Sequence, residues 1–138
     1  LKVVKACLPD PSSLAPEYEG KTCIGDYVKG IKDGKEKTVF IYNVADHKDA
    51  YNEVGSQGIS YTAGVPPVAA AILVATGEWD VKKMANVEEL PPWPLLRLLE
   101  RMGLPTRIKD EHGDRSVFAD AAEAEAAVEA TAKRAAVA

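Results

Sequence analysis

The sequence is short of the residues and spacings that carry most familiar chemistry. It has two cysteines and two histidines, and neither pair falls at metal-ligand spacing. Cys7 and Cys23 form no CxxC, and His47 and His112 form no HxxxH, which removes zinc-type sites and a disulfide-stapled scaffold. No Lys, Arg or His stands at helical spacing to activate either thiol, so both cysteines read as small buried hydrophobes. GxGxxG, the phosphate-binding P-loop and the nucleophile elbow are missing as well. With 17 basic against 21 acidic residues and a net charge of −4, there is no basic block to bind nucleic acid or an anionic membrane. The longest apolar run, residues 65–76, is shorter than the roughly 18 residues that cross a bilayer, and no signal-peptide pattern opens the chain. A soluble, cytoplasmic protein is expected, without metal, nucleic acid or membrane partner. The chain opens on Leu1, and "LKVVKACL" reads as the middle of a helix, so a piece of something longer is expected.

What is present suits one domain: 138 residues, 46% of them hydrophobic. Proline, serine and acidic residues make residues 8–21 an extended loop. "TCIGDYVKGI", "KDGK" and "EKTVFIYNV" then predict a β-hairpin, with Asp33-Gly34 supplying the positive φ angles of a type I′ turn. Its second strand has Val39 and Ile41 on one face and Phe40, Tyr42 and Val44 on the other, which predicts a central strand covered on both sides. Asp46 reads as the N-cap of a short helix that Gly55 ends. Pro66-Pro67 read as the start of an apolar helix that Gly77 stops. In "PPWPLLRLLERMGL", Leu95, Leu98, Leu99 and Met102 recur at helical spacing and predict a core-facing helix. A second hairpin is expected around His112-Gly113-Asp114, and an alanine-rich helix over residues 119–138. The fold class is α+β: a mixed or antiparallel sheet with a β-hairpin, covered by helices.

Two polar clusters are candidate sites. "YNVADH" ends a buried strand with Asn43, Asp46 and His47, at the kind of strand-to-loop passage where sites form. Gln57, Ser60, Tyr61 and Thr62 lead into the apolar helix. There they either cap its own N–H groups or present them to a polar ligand. Small residues, Gly64 among them, permit close approach of a cofactor ring or of another backbone.

"DGKEKTVFIYNVADHKDAYNEVGSQGISYTAGVPP", with "LPDPSSLAPEYEGKTCIGDYVKG" before it and "NVEELPPWPLLRLLERMGLP" after it, resembles the carboxynorspermidine dehydrogenase branch of the saccharopine dehydrogenase-like family. The resemblance covers residues 1–105, and residues 106–138 depart from it as a C-terminal extension. It implies the substrate-binding and dimerisation portion of a two-domain, Rossmann-type, NADPH-dependent dehydrogenase acting as a homodimer. The implied reaction joins aspartate β-semialdehyde to a diamine, putrescine or 1,3-diaminopropane, through an imine that hydride reduces. The implied roles are His47 as the acid that assists water loss, and Asn43, Asp46, Gln57 and Tyr61 as substrate contacts. Ser60, Thr62 and Gly64 would lie near the nicotinamide, with the cofactor held mainly by a Rossmann domain outside this chain. A saccharopine dehydrogenase of lysine metabolism, and a non-catalytic dimerisation and docking module, are the alternatives.

Overall fold

The computed structural model describes residues 2–8, 13 and 16–119. The expected alanine-rich helix lies outside the described residues. A short exposed helix α1 (Lys2–Cys7) precedes the sheet, whose first two strands are β1 (Lys21–Lys32) and β2 (Lys35–Asp46). They pair antiparallel in unbroken register from Lys21 opposite Asp46 to Lys32 opposite Lys35. Asp33 (φ 54°) and Gly34 (φ 75°) make the turn, the two positive angles that a type I′ hairpin requires.

After β2 come α2 (His47–Val54), α3 (Gly58–Ala75), a 3-10 turn (Val87–Glu89) and α4 (Pro92–Arg101). Strands β3 (Thr106–Asp110) and β4 (Gly113–Ser116) then complete an antiparallel sheet in the order β1-β2-β3-β4. β2 is therefore internal, as its sequence predicts, and the sheet is antiparallel throughout. β3 pairs directly with β2, so residues 106–116 belong to the same sheet as the segment before them.

The helices close over one end of the sheet. Ala45, Ala50, Tyr61, Ala69, Leu99 and Leu104 form the core, with Val65, Leu95, Leu98 and Met102 packed against it. The leucine stripe of α4 thus faces inward. Trp79 is buried behind α3 and donates its indole N–H to the Pro91 carbonyl at 3.1 Å, which holds the linker against the entry of α4. α2 begins at Asp46, whose carboxylate accepts from the N–H groups of Lys48 (2.8 Å) and Asp49 (3.2 Å), and it ends at Gly55 in the left-handed region.

Four expectations need correction. α3 starts at Gly58, eight residues before Pro66, so both prolines are interior. Lacking N–H groups, Pro66 and Pro67 leave the carbonyls of Thr62 and Ala63 without their i+4 donors, a break that packing must offset. The longer helix, with no charged residue and a mean hydropathy of 1.5 over 18 residues, has the length and composition of a membrane-crossing helix. In this fold Tyr61, Thr62, Ala69 and Leu73 are buried, whereas Ile59, Val68 and Val74 are exposed. The second hairpin turns at Glu111-His112 instead of one step later, because the Asp110 carboxylate accepts from the His112 N–H at 2.9 Å. Both cysteines are exposed: Cys7 on α1 and Cys23 on the edge strand β1. Finally, β2 is not covered along its length, since Ile41 is 41% exposed.

Candidate functional site

Strand β2 ends by feeding α2 directly, and the site is built at that junction. Asp46, Asp49 and Glu53 stand at spacings of three and four, which puts them on one face of α2 and its cap. With Tyr61 from α3, Gly103 after α4 and Lys21 from β1, they line a cleft of about 240 Å³. Three carboxylates face one lysine, whose ammonium is 3.7 Å from Asp46. The N–H groups of Asp49 and Lys48 hold the Asp46 carboxyl below its ordinary range, so this wall stays anionic. Such a cleft suits the cationic end of an amine.

Tyr61 forms its floor. The ring is buried, and the hydroxyl lies 2.6 Å from the Met102 carbonyl and 3.2 and 3.3 Å from the Glu53 oxygens. Burial, then the Glu53 charge, pushes the phenol upward from its ordinary value. A Cβ on Gly103 would come within 2.9 Å of that hydroxyl, and its φ of 77° also favours glycine. Tyr61 therefore bolts three elements together while presenting one edge to the cleft.

Of the residues that the sequence nominates, the fold brings Asp46 and Tyr61 into this cleft. Asn43 spends its amide within the chain, donating to the carbonyls of Leu104 (3.1 Å) and Pro105 (3.0 Å) and to the Thr106 hydroxyl (3.0 Å). His47 is buried with both ring nitrogens engaged: Nδ1 accepts from the Gly58 N–H at 3.0 Å, and Nε2 lies 3.4 Å from the Thr22 hydroxyl. Neither nitrogen is placed to donate a proton to a substrate in this arrangement. Thr62 is buried and returns its hydroxyl to the Ile59 carbonyl at 3.1 Å, while Ser60 and Gly64 lie on the open face of α3. Gln57 takes the N-cap position without a side-chain capping bond. Asp49 and Glu53 were missed, although their helical spacing from Asp46 was a readable signal.

A larger hollow of about 640 Å³ lies on the open sheet surface, between Tyr27, Phe40, Lys109 and Glu111. It is wide and shallow and contains none of the nominated residues. Glu36, Thr38 and Asp110 complete its lining, so it too is charged, and the smaller cleft is set apart by holding Asp46 and Tyr61.

An α+β domain with an acidic cleft at the end of its second strand is the class that this fold presents. Residues 1–104 match the saccharopine dehydrogenase C-terminal domain, and the chain belongs to that family. Its relatives include carboxynorspermidine synthase of Vibrio alginolyticus, 52% identical over 110 residues, covering 80% of this chain and 27% of the relative. Carboxynorspermidine synthase of Vibrio cholerae is 53% identical over 104 residues, covering 75% and 25%. Carboxyaminopropylagmatine dehydrogenase of Synechocystis sp. is 50% identical over 105 residues, covering 76% and 26%. The chain thus spans about a quarter of the length of these curated relatives.

Proposed function

We propose that the chain is the C-terminal part of an NADPH-dependent oxidoreductase of polyamine biosynthesis. It would reductively condense aspartate β-semialdehyde with a diamine, putrescine or 1,3-diaminopropane. Family membership and the names of its relatives support this reading, and the acidic cleft is the single structural observation that carries it. In the mechanism, Asp46, Asp49 and Glu53 attract and orient the remote cationic end of the amine, leaving its free amino group to condense with the aldehyde. The relatives' names contain both a norspermidine and an agmatine product. Carboxylates pair with ammonium and guanidinium alike, so either terminus suits the cleft.

The residues nominated for the cofactor fit part of it. Ser60 and Gly64 share an uncharged, small-residue face of α3, and nothing lies within 4 Å of a Cβ placed at Gly64, so a flat ring can approach there. α3 has no cation for phosphates, which must be held elsewhere. When bound, the nicotinamide supplies the hydride; this chain's part is to orient the amine and to shield one face of the ring from water.

The test is turnover by the full-length enzyme with putrescine, 1,3-diaminopropane, an agmatine-derived amine and lysine, identifying each product by mass. Glu53→Gln and Asp49→Asn should raise KM for the amine, by roughly tenfold for each lost charge-assisted contact, with little change for the aldehyde. With 2-oxoglutarate supplied as the carbonyl partner in a parallel assay, selective turnover of lysine to saccharopine would transfer the reading to the lysine enzyme.

A second reading concerns assembly. Ile24, Tyr27, Val28 and Ile31 on β1 are each at least half exposed, which supports a homodimer formed through the sheet. Sedimentation across micromolar concentrations reads it directly, and a strictly monomeric protein would end it.

A further inference from the structure

His47 is a point where separate parts of the chain meet. Its backbone N–H donates to the Gly20 carbonyl at 3.0 Å, and the Tyr18 ring and the imidazole pack nearly perpendicular with ring centres 4.8 Å apart. Nδ1 accepts from the first N–H of α3, at Gly58. A neutral imidazole carries one N–H; with Nδ1 accepting, the hydrogen sits on Nε2 and is donated to the Thr22 hydroxyl. The tautomer is therefore set by the geometry. Glycine at 58 favours this approach, because a Cβ there would crowd the Ala45 carbonyl oxygen at 3.0 Å and Nδ1 at 3.2 Å. Neither Gln57 nor Thr62 caps α3 with its side chain: Gln57 makes no capping bond, and Thr62 gives its hydroxyl to a carbonyl. A ring eleven residues upstream does that work.

We infer that His47 is a positioning residue: its neutral, Nε2-protonated ring sets where α3 begins, and so where Ser60 and Gly64 stand against the nicotinamide. The inference rests on the proposed cofactor role of that helix face. It also distinguishes His47 from the proton donor that the family resemblance implies. An acid must carry a transferable proton on a nitrogen facing substrate, whereas here one nitrogen holds a backbone N–H and the other a hydroxyl.

The experiment uses the full-length enzyme with ring-labelled histidine. Nitrogen NMR, with the His47 signals identified as those that vanish in His47→Asn, should find His47 as the Nε2–H tautomer at neutral pH. A Nδ1–H tautomer or an imidazolium would overturn the inference. Asparagine places an amide oxygen near the Nδ1 position and has no titratable proton. His47→Asn should therefore keep Gly58 amide protection and KM for NADPH close to those of the unsubstituted enzyme. His47→Ala should lose that protection and raise KM for NADPH roughly tenfold, as expected for one buried donor left unpaired. If His47→Asn is as inactive as His47→Ala and both lose the same limb of the pH profile, His47 is an acid and the inference fails. Lost Gly58 protection with an unchanged KM for NADPH would overturn the step from helix to cofactor. An unsubstituted enzyme that turns over none of the amines would instead sink the proposed function, and tautomer and exchange would still decide what His47 does to α3.

Discussion

The two ends of β2 have very different surroundings. At the helix end, Asn43 is tied to three acceptors of the loop after α4, Ala45 lies in the core, and Asp46 caps α2. At the hairpin end, Phe40 stacks on Tyr42 with ring centres 4.6 Å apart, but Tyr27, Val28 and Ile31 alongside are 64%, 52% and 78% exposed. A strand that is apolar on consecutive residues belongs in a sheet covered on both faces. The described residues supply that cover at one end. The hairpin end stays open among the described residues, and it is the face proposed above for self-association.

The sharpest way to break this comparison is to remove a side chain from each end. Leu104 is 1% exposed and has the largest fully buried side chain, so Leu104→Ala should cost about 2–5 kcal/mol of folding stability. Ile31→Ala should stay within about 0.5 kcal/mol. Urea denaturation of both variants measures the difference. Equal costs would mean that the hairpin end is packed as tightly as the core.

Association should reverse the ranking. If a second copy covers the hairpin end, Tyr27→Ala removes an aromatic anchor and should weaken self-association roughly tenfold or more, with folding stability unmoved. Leu104→Ala should affect association only by lowering the folded fraction. Sedimentation equilibrium separates the two, and unchanged association of the Tyr27 variant would detach the apolar arm from dimerisation.

The sequence announced those parts of the fold whose signals are local. Asp33-Gly34 specified its turn because two consecutive positive φ angles admit few residue pairs. Asp46 and Gly55 bounded α2 through their own caps, and leucines at 95, 98 and 99 marked the inner face of α4. What was hidden depended on partners far along the chain. Pro66-Pro67 looked like a helix start because proline favours that position. The actual start is held by His47, whose bond to Gly58 has no sequence signature. For the site, Asp46 was legible as a cap and became a cleft wall as well. Asp49 and Glu53 share a face with Asp46 by helical spacing, but a short polar helix presents such charges whether or not a cleft faces them.

The smallest effect concerns pH and lies at the hairpin end. Asp110 accepts from Arg115 Nη1 and Nη2 at 2.8 and 3.1 Å and from the His112 N–H. The Arg115 hydrogen bonds, then that N–H, lower its pKa from 3.8 to about 2. The folded form thus holds its proton less tightly than the unfolded chain does. The resulting stabilisation is complete above the unfolded value, 3.8, and is lost as pH falls through about 2. The pair is part-buried, with solvent still reaching the Arg115 side, so screening keeps the effect modest. Asp110→Asn should flatten the fall of the urea midpoint across that window while leaving it nearly unchanged at neutral pH. Asp46 is also held low, by N–H donors, but at the helix end. If the acid slope survives Asp110→Asn and disappears with Asp46→Asn, acid sensitivity belongs to the packed end of β2, and the β3-β4 hairpin contributes only its geometry.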